Sequence, residues 1–486
     1  MNETQDSTEG KVAAFFDFDG TIVDGYSALA LIKDRIKHRK ISPLDTAKLV
    51  LTGLGTRTGH AQVEDFMRAG LAIFRGKTAE ELDEMGAKFT RSTLGGHLFA
   101  DALDRITAHQ RQGHLVAIAS SALPFQIDAL AAEIGIEHII CTKLAWDADG
   151  RCTGEVDGEM LWGKPKALAV QAFAREHDID LDASYAYANG DEDVEFLSTV
   201  GNPRPVNPEP ELATIAAVRG WRVEQFVPRT PASALDMPRT VLAYGGLATS
   251  GVLAAGLGLL NRSRRVTANT LVTFGGDLML GLAGVEVDVI GGQHAWTHRP
   301  AVFIFNHQSL LDPLAVFKVV QRDITPIGKK EVERMPLIGQ MAWLMNAALV
   351  DRTDSRAAKA ALQPALDRLA DGYSILIAPE GTRSLTARVG EFKKGAFHLS
   401  MQGGVPIVPV IIRNSGELMW RGSNSIRSGR LEVLVAPPIN TTDWTLRELN
   451  QQVAQVRRLY VETLDDWDAA VARTRAQAQA DTSRTT

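Results

Sequence analysis

Apolar residues fall along this chain in two rhythms, on either side of one long uncharged stretch. Short continuous runs, among them Val12–Phe16, Leu115–Ala119, Ser184–Ala188, Ala301–Phe305, Ser374–Ala378, Val405–Val410 and Leu431–Ala436, are bounded by polar residues, glycine or proline. Runs of this kind predict buried strands. Between them apolar positions return at helical spacing, as at Leu29, Ile32 and Ile36 and across Leu446–Leu464. The alternation predicts an α/β body at each end of the chain. In the middle, Thr240–Leu260 carries no charged residue; at about 21 residues it is long enough to cross a bilayer as a helix. A second apolar stretch, Ala268–Val285, is interrupted by Asp277, and Arg262, Arg264 and Arg265 lie between the two. The alternative for Thr240–Leu260 is a buried helix of a soluble protein.

Proline and charge gather from Pro228 to Arg239, which marks a linker. The expected organisation is a first α/β domain at 1–228 with a helical insertion at about 25–100, and a linker at 229–239. Membrane-associated hydrophobic helices follow at 240–290, then a second α/β domain at 291–464. From 465 to 486 the apolar periodicity fades, predicting a polar, disordered tail. A net charge of -6 argues against a nucleic-acid partner. Cys141 and Cys152 have neither metal nor redox spacing and read as reduced packing residues of a cytoplasmic protein. Met1–Gly10 is acidic and polar, without the basic start and apolar core of a signal peptide, so the first domain is expected in the cytoplasm.

Two strand ends carry chemistry. Asp17-Phe18-Asp19-Gly20-Thr21 follows the first strand directly. Aspartates at alternate positions there can share a cation and present one carboxylate as nucleophile, and Gly20 permits a tight turn at the sheet edge where α/β ligands bind. Further on, Asn306-His307-Gln308-Ser309-Leu310-Leu311-Asp312 follows the strand 301–305, and Asp312-Pro313 opens a helix. On such a turn the Asp312 carboxylate folds back on the His307 imidazole, fixing its tautomer and stabilising the imidazolium formed when the ring takes a proton. The plainer alternatives are an Asp-x-Asp in a polar loop and a surface histidine beside a capping aspartate.

After Asp17 come, in order, Ser120 at the end of the second strand, then Gly163-Lys164-Pro165-Lys166, then Asn189-Gly190-Asp191-Glu192-Asp193-Val194-Glu195-Phe196-Leu197. This ordered set resembles the motifs of the haloacid dehalogenase superfamily of phosphatases, in the branch that contains phosphoserine phosphatase. The resemblance implies a Rossmann-like domain with a helical cap, Asp17 as nucleophile and Asp19 as general acid/base. It also implies that Ser120, with Ser121 as neighbouring alternative, binds the phosphoryl group, and that Lys166, ahead of Lys164, neutralises nucleophile and phosphate. Mg2+ is implied on Asp17, Asp19, Asn189 and Asp193. Here the sequence departs from the family, whose metal motif has two acids about a helical turn apart and then a leucine. Leu197 puts Asn189 in the first acid's place, where it offers a neutral oxygen. Asp191 is a compensating acid in that register; the alternative, Asp191 with Glu195, misplaces the leucine.

The His307–Asp312 block, then Asn346–Arg352, Pro379-Glu380-Gly381-Thr382-Arg383-Ser384 and Val405–Val410, resembles in this order the blocks of the glycerophospholipid acyltransferases, the lysophosphatidic acid acyltransferases in particular. The implied fold is an α/β acyltransferase domain following a membrane-associated helical hairpin. The implied reaction carries an acyl group from acyl-CoA or acyl carrier protein to the sn-2 hydroxyl of lysophosphatidic acid, giving phosphatidic acid, with no cofactor beyond the donor. His307, oriented by Asp312, would deprotonate the hydroxyl, which attacks the thioester directly. Glu380, Gly381, Thr382, Arg383, Arg352 and Lys329 would form the acceptor site, with Glu380 pairing with Arg352 or Arg383 or supporting the loop. Apolar residues around Leu337-Ile338-Gly339 and along 405–412 would hold the acyl chain. Glycerol-3-phosphate as acceptor, and a first domain that only docks or regulates, remain alternatives. A single membrane crossing would part the two domains, so the hydrophobic segments are expected to enter and return at the cytoplasmic face, shallowly because of Asp277.

Overall fold

Ala13–Phe16 forms strand β1 with all four side chains buried. The computed structural model describes residues 10–37, 70–229, 233–350 and 362–485, in two units that divide between Thr230 and Pro231. In the first unit β1 lies within a sheet ordered β3-β2-β1-β6-β7. Its members are β2 (Leu115–Ser120), β3 (His138–Cys141), β6 (Tyr185–Ala188) and β7 (Asn202–Pro205), while β4 (Leu144–Trp146) and β5 (Cys152–Val156) form a separate hairpin. Every pairing in the five-stranded sheet is parallel. Both faces of a parallel sheet are covered, which is why its inner strands read as unbroken apolar runs. The strand order reverses between β1 and β6, and the chain leaves those strands into Asp17 and Asn189. That is the place where open α/β sheets bind ligands. Of the expected helical insertion, the described part holds the helices Ser27–Lys37 and Ala79–Ser92, the latter opened by a capping box of Thr78 and Glu81.

The second unit is built on a seven-stranded sheet ordered β11-β10-β12-β9-β13-β14-β8. Its strands are β8 (Val285–Ile290), β9 (Val302–Phe305), β10 (Ile324–Lys329), β11 (Ala348–Val350), β12 (Ser374–Ile377), β13 (Ile407–Ile412) and β14 (Gly429–Val435). The pairings are parallel except for β13 with β14. Phe303 and Phe305 of β9 join one core with Leu247, Met279 and Val316; Val302 and Ile304 join the other with Phe397, Val453 and Tyr460.

The first hydrophobic helix runs from Asp236 to Leu260, so it begins inside the stretch expected to be linker. Asp236 Oδ2 accepts the Ser233 N–H at 2.7 Å and Pro238 sits in the first turn, a start signal that the proline-based linker reading overlooked. Its inner face is small: Ala243, Ser250, Gly251, Ala254 and Gly258 are buried, and a Cβ on Gly258 would lie 1.7 Å from Thr267 Oγ1. Its other face exposes Val241, Leu242, Val252, Leu253, Leu259 and Leu260. The second helix, Arg264–Ala283, passes through a π-helical turn at Leu271–Gly275. Both are long and apolar enough to cross a membrane, yet half of the second one's apolar window is buried (50%) against 33% for the first. Asp277 is paired with Lys318 at 3.0 Å, so its charge is answered by the protein.

The tail from 465 is not disordered where described. Trp467–Thr485 is a helix, and Trp467 and Ala470, with Val471 packed beside them, sit in the same core as Tyr460. Those positions have helical spacing within alanine- and arginine-rich sequence of good helix propensity.

Tyr460, on the helix Leu449–Asp465, ties the sheet at its centre. Its fully buried hydroxyl donates to the Ile304 carbonyl (2.7 Å) and accepts the Val410 N–H (3.2 Å). Tyr460→Phe leaves both backbone groups buried without that partner and should lower the unfolding free energy by about 1–3 kcal/mol, measured by urea denaturation of the full chain.

Candidate functional site

In the second unit the turn after β9 is held almost residue by residue. Asn306 donates to the Ile412 carbonyl and accepts the Ile412 N–H, each at 2.8 Å, fastening the end of β9 to β13. Ser309 Oγ donates to the Met419 carbonyl at 2.6 Å. Asp312 is fully buried at the start of the helix Asp312–Val320. Its Oδ2 accepts from Gln308 N–H (2.7 Å), Ser309 N–H (2.8 Å) and His307 Nδ1 (2.8 Å). With Nδ1–H given to Asp312, the His307 Nε2 carries the lone pair, the state a general base requires. Glu380 fixes the same turn from the other side, its Oε1 on the His307 N–H (2.7 Å) and Oε2 on the Gly390 N–H (2.8 Å). Of the roles expected for Glu380, it therefore supports the loop: both oxygens face backbone and it does not line the cavity.

His307 opens on a cavity of about 440 Å3, a volume typical of small-ligand sites. Gly381, Thr382, Arg383 and Lys329 line it, as sequence reasoning placed them; Arg352 lies outside the described residues. Three further polar residues, Arg421, Tyr244 and Glu331, line it without having been singled out. Arg421 Nη1 donates to the Arg383 carbonyl at 2.8 Å, so the two guanidinium-bearing residues are coupled. Burial, with Arg421 adding repulsion, holds the Arg383 guanidinium below its ordinary value. The rest of the wall is apolar and includes Phe305, Leu314, Phe317, Met279, Met341 and Ile338. No residue of 405–412 reaches it: β13 is an inner strand with its side chains wholly buried in the two cores.

In the first unit Lys166 Nζ bridges Asp17 Oδ1 (2.7 Å) and Asp193 Oδ1 (2.8 Å), whereas Lys164 is exposed. Asp193 Oδ2 accepts the Gly190 N–H at 3.4 Å, so both its oxygens are engaged. Asp19 accepts the Ser27 N–H (2.8 Å) and Oγ–H (3.1 Å). Burial lifts the Asp17 carboxyl to about 7 although the Lys166 ammonium pulls it back, and burial lifts Asp19 to about 6 against its Ser27 donors. Gly20 has φ +73, and a Cβ there would lie 2.3 Å from the Asn189 amide, so only glycine lets motif and amide meet. Asp191 does not compensate for Asn189: its Oδ1 accepts the Leu212 N–H (2.7 Å) at the start of the helix Pro210–Arg219. Glu195, of the alternative register, is exposed. Ser120 is buried with its Oγ on the Ala122 N–H (3.1 Å), and Ser121 lines a small cavity beside Asp19. Among the described residues no three of His, Cys, Asp and Glu converge as metal ligands. Asp17, Asp19 and Asn189 offer only oxygen donors, the type a hard cation such as Mg2+ takes, with less charge than three carboxylates.

Two family models match the chain: haloacid dehalogenase-like hydrolase over residues 14–198 and acyltransferase over 286–413. The chain is 35% identical over 191 residues to a 1-acyl-sn-glycerol-3-phosphate acyltransferase of Limnanthes alba, covering 39% of this chain and 67% of that protein. It is 30% identical over 233 residues to the one from Saccharomyces cerevisiae, covering 46% and 75%. The solved 1-acyl-sn-glycerophosphate (LPA) acyltransferase from Thermotoga maritima is 24% identical, covering 48% of this chain and 97% of that one, with a TM-score of 0.41.

Burial pushes the Glu380 carboxyl up to about 7, against the two N–H donors it accepts. A carboxyl raised in this way keeps its proton in the folded chain where the unfolded chain has lost it. Unfolding free energy therefore falls as pH rises from about 4.5 towards 7, by roughly 3 kcal/mol at most. Glu380→Gln should flatten that part of the stability-against-pH curve in urea titrations; an unchanged slope would show that Glu380 does not titrate there.

Proposed function

We propose that this chain, which belongs to the 1-acyl-sn-glycerol-3-phosphate acyltransferase family and carries a haloacid dehalogenase-like domain ahead of it, transfers an acyl group to the sn-2 hydroxyl of lysophosphatidic acid. The observation that carries this reading is a histidine, oriented by a buried aspartate, opening on an apolar cavity that also holds two arginines. His307 Nε2 takes the proton of the acceptor hydroxyl as its oxygen attacks the thioester carbonyl of acyl-CoA or acyl carrier protein. The new C–O ester bond forms, the C–S bond breaks, and the leaving thiolate receives the proton from the imidazolium, whose charge Asp312 steadies. Arg383 and Arg421 suit a phosphomonoester dianion, which two guanidiniums grip through several directed N–H donors, with Lys329 as a third cation. The apolar outer face of Asp236–Leu260 suits insertion into a membrane surface, on the cytoplasmic side where acyl donors are made.

The first domain is read as a phosphomonoesterase. The phosphoryl group passes from the ester oxygen to the Asp17 carboxylate, Asp19 giving its proton to the leaving alcohol; water then attacks the aspartyl phosphate and releases phosphate. Lys166 and Ser120 are the phosphate-facing groups. Mg2+ held by Asp17, Asp19 and Asn189 would supply neutralisation of phosphoryl charge.

Purified full-length protein supplied with acyl-CoA, lysophosphatidic acid and Mg2+ tests both halves, with phosphatidic acid and free phosphate followed together. His307→Ala should lower phosphatidic acid formation about 100- to 10,000-fold and leave phosphate release untouched; Asp17→Asn should do the reverse. Equal phosphatidic acid from wild type and His307→Ala would overturn the acyltransferase assignment, and absence of phosphate release from wild type would favour a docking or regulatory first domain. Arg421→Ala should raise the KM for lysophosphatidic acid about 10- to 100-fold with kcat little changed, and Arg421→Lys should recover part of the loss.

A further inference from the structure

We infer that the first unit's site takes a phosphomonoester whose leaving alcohol is small, uncharged and mainly apolar; the inference rests on the phosphatase reading above and narrows its substrate class. A cavity of about 60 Å3 opens beside Asp19, the residue that would protonate the leaving oxygen. A volume of that size, against roughly 10–15 Å3 needed for a single water, suits a short leaving group rather than a bulky one. Leu31 and Ile32 of the helix Ser27–Lys37, with Leu71, Phe74, Leu123 and Met160, form its walls. Phe74 is held edge-on to Phe125 at 5.0 Å, so this wall is part of a packed core.

The described part of the wall offers little charge to a leaving group. Among its described lining residues Asp19 is the only ionisable one. Of the three neutral polar residues beside it, Gln126 Oε1 accepts the Leu123 N–H (2.9 Å) and Thr142 Oγ1 accepts the Leu161 N–H (3.1 Å), and Ser121 adds one uncharged hydroxyl. Arg35, buried on the same helix as Leu31 and Ile32, directs Nη1 at Met85 Sδ and does not line the cavity. An amino-acid leaving group such as serine would bring an ammonium and a carboxylate against aliphatic and aromatic walls, with Asp19 repelling the carboxylate. Desolvated charges without partners are strongly disfavoured, whereas an aliphatic alcohol gains from the same surface. The phosphoserine-phosphatase resemblance of this domain thus extends to its phosphoryl chemistry and not to its leaving group.

The test uses the full-length protein with Mg2+ and two probes, butyl phosphate and O-phosphoserine. Phosphate release should show kcat/KM for butyl phosphate on the order of 100-fold above that for O-phosphoserine; equal or reversed preference overturns the inference. Calorimetric titration of Asp17→Asn, which cannot form the phosphoaspartate, separates pocket from turnover. Tighter binding of butyl phosphate there supports the inference even if wild type releases no phosphate, a result that would count against the phosphatase reading alone. Met160→Ala deepens the cavity and should raise the hexyl-to-butyl phosphate preference several-fold in kcat/KM or, without turnover, in binding. An unmoved ratio would show that the leaving group lies elsewhere.

Discussion

The second unit depends on one buried carboxylate. Asp312 has no solvent exposure, and a single oxygen of it gathers His307 Nδ1 and the N–H groups of Gln308 and Ser309. A carboxylate in that position is tolerable only while those donors point at it. The turn after β9, the tautomer of His307 and the first turn of the helix Asp312–Val320 are therefore one arrangement rather than three. Everything around it keeps that arrangement in register: Asn306 locks β9 to β13, Glu380 holds the His307 backbone, and Tyr460 joins the two strands two residues further in. The geometry of the turn follows from the satisfaction of buried polar groups.

The first unit reaches a comparable result with the opposite sign of charge at its centre. One ammonium, Lys166, lies between Asp17 and Asp193, with Asp19 and Glu192 close enough to be felt electrostatically. Burial lifts Glu192 to about 8, with Asp193 adding repulsion. In so acidic a place an asparagine at 189 brings one negative charge fewer than an acid would, beside the one fixed cation found there among the described residues. Its amide still packs against Gly20, so the scaffold of the site persists while its charge is lowered.

How much of this was legible depends on whether a residue's task is local. The strands β1 and β9 could be read because burial on both faces writes an unbroken apolar run, and the His307–Asp312 pair because both residues sit on one turn. Arg421 could not: it reaches Arg383 from a distant part of the chain, where Ser309 holds the Met419 carbonyl two residues before it. Asp191 was credited with metal chemistry because neighbours in sequence look interchangeable, whereas the 3-10 turn Asp191–Asp193 sends it to a different helix. The tail was misjudged because Trp467 and Ala470 are too few to establish a period until the helix docks them. β13 was credited to the acyl wall because an apolar run does not say which layer it enters.

The hydrophobic helices carry the argument from fold to substrate. Leu247 of the first and Leu271 and Met279 of the second belong to the core of the second unit and also line the cavity that His307 faces. The outer face of the first exposes valines and leucines that water would leave uncovered. On the proposed reading the same element meets lipid on one side and the acyl chain on the other, without leaving its place in the core. Asp277 fits that arrangement because Lys318, on the helix that Asp312 begins, neutralises it from the protein side. On that reading the helix pair is a wall of the site that rests in the membrane surface, and a lipid acceptor would need to move only laterally to reach the histidine.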